Sequence, residues 1–133
     1  LLFHTNSTIR SKIHIFIRLP IGLSLISFGA WLALKGIQIV FKDLRPNPIM
    51  ITEGLFSFVR HPIYLGAMLI YLGVLSLTLS CIGGIAFIFV VILYNWLARH
   101  EENLMIEIFG ETYQQYIHQV PMWIPRSLKI TNR

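Results

Sequence analysis

Apolar residues dominate the chain in two long runs, separated by a polar stretch. From Leu19 to Phe41 the sequence LPIGLSLISFGAWLALKGIQIVF supplies 23 residues with one charge, Lys35. At 1.5 Å per helical residue this run crosses a hydrocarbon core about 30 Å thick. Lys35 lies toward its C-terminal end, close enough for its long stem to reach the headgroups. The second run, Ile63 to Val91, has no charged residue and is bracketed by Arg60 and Arg99. It is too long for one span, and Ser80-Cys81-Ile82-Gly83-Gly84 interrupts it. Paired glycines accept the left-handed conformations of a tight turn, so the pattern predicts a helical hairpin with helices over 62–79 and 82–98. Gly66, Ala67 and Gly73 let its first helix approach a neighbour closely.

The flanks are of mixed character. Thr8 to Arg18 alternates basic and apolar residues and reads as an interfacial segment; no small-residue cleavage site follows the first apolar run, unlike a signal peptide. The chain begins at Leu1 without an initiator methionine, so further preceding sequence is expected. Between the runs, Pro46 and Pro48 break helix and Thr52-Glu53-Gly54 forms a turn. After the hairpin, Leu104, Ile108, Tyr113, Tyr116 and Ile117 recur at near-helical spacing, predicting an amphipathic helix on the membrane surface, interrupted near Gly110 and ended by Pro121 and Pro125.

Composition agrees with a lipid environment. The 133 residues are 55% hydrophobic and 13% charged, with mean hydropathy +0.66, whereas soluble domains carry about 25% charged residues. So small a soluble fold could not bury this much apolar surface. The expected fold is one all-α integral membrane domain over 1–133, with three transmembrane helices (19–41, 62–79, 82–98) and an interfacial C-terminal amphipathic helix. The net charge of +5 comes from 11 Lys+Arg with no basic run longer than Arg10–Lys12, which suits an anionic membrane surface and not nucleic acid. Lys42, Arg45, Arg60 and Arg99 place the 42–61 loop and the tail in the cytoplasm by the positive-inside rule. A single cysteine, Cys81, excludes a disulfide framework and a Cys-based zinc site. His4, His14, His100 and His118 have no partners at ligand spacing, so no metal is expected.

Closing the hairpin brings Arg60-His61-Pro62 and Arg99-His100-Glu101-Glu102 to one membrane face. Pro62 suits the first turn of a helix; Arg60 and His61 then flank a helix N-terminus that favours an anion such as a carboxylate. Glu101 and Glu102 are expected at a helix C-terminus, where negative charge is unfavourable by about 0.3–1 kcal/mol. Either they form ion pairs with Arg60 and Arg99, or they hold a ligand's ammonium or hydroxyl groups. A zwitterionic ligand satisfies both halves.

Thr52-Glu53-Gly54-Leu55-Phe56 through Arg60-His61-Pro62-Ile63-Tyr64-Leu65-Gly66 resembles the signature of the isoprenylcysteine carboxyl methyltransferase family. So do Glu101-Glu102-Asn103-Leu104, then Phe109-Gly110-Glu111-Thr112-Tyr113, Tyr116 and Val120-Pro121 to Pro125. The ordered set covers residues 46 to 126. The resemblance implies a membrane enzyme that transfers a methyl group from S-adenosylmethionine to a lipophilic or lipidated acceptor entering from the bilayer, with 99–126 as a cofactor-binding segment. Carried over by position, His61, Tyr64, Glu102 and Tyr113 contact the cofactor, Glu101 stands close to the reacting groups, and Arg60 orients an acceptor carboxylate. Tyr64, Trp96, Tyr113, Tyr116 and Trp123 also suit an aromatic belt, while Glu107 and Glu111 suit a solvated face. Phospholipid methyltransferases share the RHP-like and EE-like elements. Membrane sterol reductases, which use NADPH, have an RH-x-x-Y-like segment but differ downstream, where this chain has Glu101-Glu102 and Phe109-Gly110. A non-enzymatic membrane subunit would bind no cofactor.

Overall fold

A computed structural model describes residues 15–42 and 49–125. The described residues contain helices and no strand: α1 (Ile15–Lys42), a short 3-10 helix (Gly54–Ser57), α2 (Pro62–Thr78), α3 (Cys81–Phe109) and α4 (Glu111–Gln119). α1 and α3 are long and apolar enough to cross a membrane; α2, with 17 residues, is a shorter apolar helix. Much of the surface is apolar, including Phe16, Phe28 and Trp31 on α1 and Ile85, Phe89 and Ile92 on α3. That is the inverse of a soluble protein's surface and what lipid contact requires. The expected interfacial segment up to residue 14, and Pro46 and Pro48, lie outside the described residues.

α1 and α2 form the tightest contact. The buried positions of α1 are Arg18, Gly22, Gly29, Leu32 and Gly36, which fall on one stripe. A Cβ at Gly29 would lie 2.6 Å from the Gly66 carbonyl oxygen, and one at Gly73 would lie 2.8 Å from the Gly22 carbonyl oxygen. Gly36 meets Ile63, so the helices run antiparallel with backbones in contact. The close approach expected of Gly66 and Gly73 is therefore met by a matching glycine series on α1, whose signal in the sequence is the seven-residue spacing 22, 29, 36 beside 66, 73. In lipid, where apolar burial gives helices little reason to associate, such contacts supply the packing.

The hairpin exists, but its turn lies elsewhere than the glycines suggest. Leu79 takes the left-handed conformation (φ 46°, ψ 42°) and Ser80 caps α3, its Oγ accepting from the Gly83 backbone N–H at 3.3 Å. Gly83 and Gly84 are already helical. Two residues suffice for the reversal because the C-terminus of α2 and the N-terminus of α3 each satisfy their own last turn.

A second expectation is overturned further on. α3 does not stop near 98 but runs to Phe109, so Glu101 and Glu102 are interior to a helix and meet no unsatisfied carbonyl end. Leu104 and Ile108 are exposed on α3, whereas Tyr113, Tyr116 and Val120 form a buried cluster with Met50, Met105 and Phe109 against it. The break at Gly110 holds, with φ 57°. Lys35 is exposed, in keeping with its reading as an anchor.

Candidate active site

The site is assembled where α1 ends, α2 begins and α3 passes. Pro62 occupies the first turn of α2 as expected and is fully buried. His61 immediately precedes it and makes no capping hydrogen bond with its side chain. Its ring instead bridges two carboxylates of α3: Nε2 is 3.0 Å from Glu102 Oε1, and Nδ1 is 3.7 Å from Glu101 Oε2. Arg60 Nη1 lies 3.1 Å from the same Glu102 oxygen, with both side chains almost wholly buried. Glu102 therefore gathers Arg60 and His61 on one atom. The Tyr64 hydroxyl donates to Glu101 Oε1, and the Tyr64 ring stacks on His61 at 5.7 Å, as residues three apart on one helix face can.

Arg60 is incompletely satisfied. Its Nε and Nη1 are buried without a hydrogen-bond partner, so the contact to Glu102 is one of charge and proximity and leaves hydrogen-bonding capacity of the guanidinium unused. Arg99, by contrast, is exposed and takes no part in the ion pairs of the described residues.

A cavity of about 460 Å³ opens beside this cluster, within the range of ligand sites. Arg60, His61, Tyr64, Glu101 and Tyr113 line one part of it; Val40, Ile49, Met50, Ile51, Ile63 and Leu104 make the remainder apolar. Five of the six residues singled out in the sequence thus face one space. The sixth, Glu102, does not line it and acts on it through Arg60 and His61. Burial, helped by the charge of Glu102, pushes the Tyr113 hydroxyl up to about 12. Burial raises Tyr116 as well.

The tail closes over this end of the molecule. The Arg60 backbone N–H donates to the Pro121 carbonyl at 3.0 Å, and the Tyr116 hydroxyl donates to the Phe56 carbonyl at 2.6 Å. Trp123 packs on His61 at 5.8 Å and its Nε1 donates to Asn95 Oδ1 at 3.4 Å. Trp123 thus packs against a residue of the site. No local pattern marks Asn95 and Trp123, which are 28 residues apart. Tyr116→Phe leaves the Phe56 carbonyl unpaired, and a loss of about 1–2 kcal/mol is expected in thermal unfolding; an unchanged midpoint would show that this bond does not hold the tail.

Residues 17–112 match the family model described as phospholipid methyltransferase. The chain is 29% identical over 91 residues to the protein-S-isoprenylcysteine O-methyltransferase of Schizosaccharomyces pombe, covering 66% of this chain and 38% of that protein. It is 33% identical over 101 residues to methanethiol S-methyltransferase 2 of Bradyrhizobium diazoefficiens, covering 73% and 34%. With the protein-S-isoprenylcysteine O-methyltransferase of Saccharomyces cerevisiae the identity is 33% over 89 residues, covering 66% and 37%. The chain spans less than two fifths of the length of these relatives.

Proposed function

Because the chain belongs to the phospholipid methyltransferase family, we propose that it works as a membrane methyltransferase of the isoprenylcysteine carboxyl methyltransferase kind. It uses S-adenosylmethionine and methylates a lipophilic acceptor, with a carboxylate favoured, at the cytoplasmic interface. The observation that carries this reading is the buried Arg60 fork with two nitrogens lacking a hydrogen-bond partner, set in a cavity whose remaining wall is apolar. A carboxylate on an apolar body fits both. The Glu101 carboxylate on the opposing helix, which lines the cavity, suits the ammonium or hydroxyl groups of the cofactor. His61, Tyr64 and Tyr113 line the same space and Glu102 stands behind them.

When bound, S-adenosylmethionine supplies a methyl group on a positively charged sulfur that needs no further activation. A carboxylate acceptor would take that methyl group on an oxygen lone pair as the carbon–sulfur bond breaks, so no residue of this chain need move a proton. The residues of this chain then supply alignment and water exclusion. Arg60 holds the acceptor oxygens, Glu102 holds Arg60 and His61, and Tyr64 fixes Glu101. The enzyme crosses the membrane three times in this reading, α2 spanning with about 25 Å of helix and slight thinning of the bilayer. α4 lies at the interface, and Lys42, Arg60 and Arg99 keep the site cytoplasmic.

A thiol acceptor, suggested by the methanethiol S-methyltransferases among the relatives, leaves the Arg60 fork without an anion and is the second reading. Binding of S-adenosylhomocysteine to the chain in lipid nanodiscs, with NADPH as comparison, tests the cofactor; affinity for neither nucleotide overturns an enzymatic role. His61→Ala is expected to weaken S-adenosylhomocysteine at least tenfold. Arg60→Ala is expected to reduce methyl transfer to a farnesylated cysteine carboxylate more than cofactor affinity; equal loss of both reassigns Arg60 to the cofactor. Faster labelling of methanethiol favours the thiol.

A further inference from the structure

At the end of the bundle away from the cavity, α1 buries a charge. Arg18 is 6% exposed, and its Nε and Nη1 are buried without a hydrogen-bond partner. It continues the stripe of Gly22 and Gly29 by one turn, since residues four apart share a helix face. Gly22 lies against Gly73 and Leu77, so the antiparallel register brings Arg18 level with Leu79 and Ser80, where α2 gives way to α3. The N-terminus of α3, at Cys81, adds the partial positive charge of a 29-residue helix at the same place.

No acidic residue among the described residues answers this charge. The six acidic residues are Asp43, Glu53, Glu101, Glu102, Glu107 and Glu111, none of them in residues 1–42 or 54–100. Asp43 follows the far end of α1, and Glu101 stands about 30 Å along α3 from Cys81. A guanidinium stays protonated under all ordinary conditions, and a buried one needs an anion. Arg18 lies at the fourth residue of α1, at the end away from the cavity, where a spanning helix meets the headgroups.

We propose that Arg18 and the start of α3 form a binding site for the phosphate of an anionic phospholipid headgroup, on the membrane face opposite the cavity. The guanidinium fork matches phosphate oxygens in pairs, and the helix N-terminus favours the same charge. The site is independent of the methyl-transfer reading, which fails or stands on cofactor binding alone.

The test uses the full chain in a phosphate-free nonionic detergent, with unfolding temperature followed against phosphatidylglycerol, diacylglycerol and inorganic phosphate. Phosphatidylglycerol is expected to raise the midpoint saturably, diacylglycerol is expected to give no such rise, and the R18Q response should need at least tenfold more lipid. No rise in the native chain, or an equal rise in R18Q, overturns the proposal; so does an equal response to diacylglycerol. An equal response to inorganic phosphate assigns the site to a free anion and overturns the lipid. Should R18Q fail to fold, native mass spectrometry decides: a retained phosphatidylglycerol that R18K releases more readily supports the site. Equal retention by R18K, or no retained phospholipid, overturns it.

Discussion

Glu102→Gln is expected to lower stability by about 3 kcal/mol and to weaken S-adenosylhomocysteine at least tenfold, although Glu102 does not line the cavity. One oxygen of this carboxylate stands 3.1 Å from Arg60 Nη1 and 3.0 Å from His61 Nε2. The side chains of Glu102 and Arg60 are 10% and 9% exposed, so water cannot replace what the substitution removes. Breaking one partner out of a buried pair leaves the other charge unpaired, which costs about 3–5 kcal/mol, whereas replacing both by apolar groups is close to neutral. The double variant Arg60→Leu/Glu102→Leu should therefore recover most of the unfolding midpoint while remaining unable to bind. Thermal unfolding and cofactor titration in nanodiscs measure the two effects separately. A single variant with native stability would show that the pair contributes little to the fold; native binding would remove Glu102 from the site.

Gly66→Ala is the second large effect, with an expected loss of about 2–3 kcal/mol. The added Cβ would stand 2.5 Å from the Gly29 carbonyl oxygen and 2.8 Å from the Ala33 backbone nitrogen. Both are helix backbone atoms, so only separation of α1 from α2 relieves the clash. That separation also moves Val40, on α1, away from Arg60 and Tyr64 across the cavity, and cofactor affinity should fall with stability. Gly84→Ala is the matched comparison: nothing lies within 4 Å of its added Cβ, and alanine in a helix interior gains up to about 1 kcal/mol over glycine. Equal behaviour of the two variants would show that the α1–α2 contact is looser than its geometry implies. Adding Gly29→Ala to Gly66→Ala should cost less than the sum, because both act on one contact.

Much of the site was legible because its residues lie in two short segments. Arg60-His61-Pro62-Ile63-Tyr64 places its groups through a proline-started helix, and Glu101-Glu102 lies on the partner helix of the same hairpin. The role of each carboxylate was not legible. Adjacent residues on a helix point about 100° apart, and only the packing of α2 on α3 shows that Glu101 faces Tyr64 and the cavity while Glu102 turns to Arg60 and His61. The length of α3 was hidden for a related reason. A helix leaving the bilayer changes from apolar to charged residues without any break in its backbone, so Arg99 to Glu102 resembles an end and is none.

The sequence by itself determined that this chain is helical, lies in lipid and carries its polar chemistry beside a charge-free hairpin. Apolar run length, proline position and the scarcity of charge are local properties, and each constrains one segment at a time. The tertiary structure alone decided the antiparallel glycine contact of α1 with α2, the return of Trp123 onto His61, the division of labour between Glu101 and Glu102, and the isolation of Arg18 from the carboxylates of the described residues. Those depend on which faces meet across tens of residues, and close packing between helix backbones selects the one register that allows them.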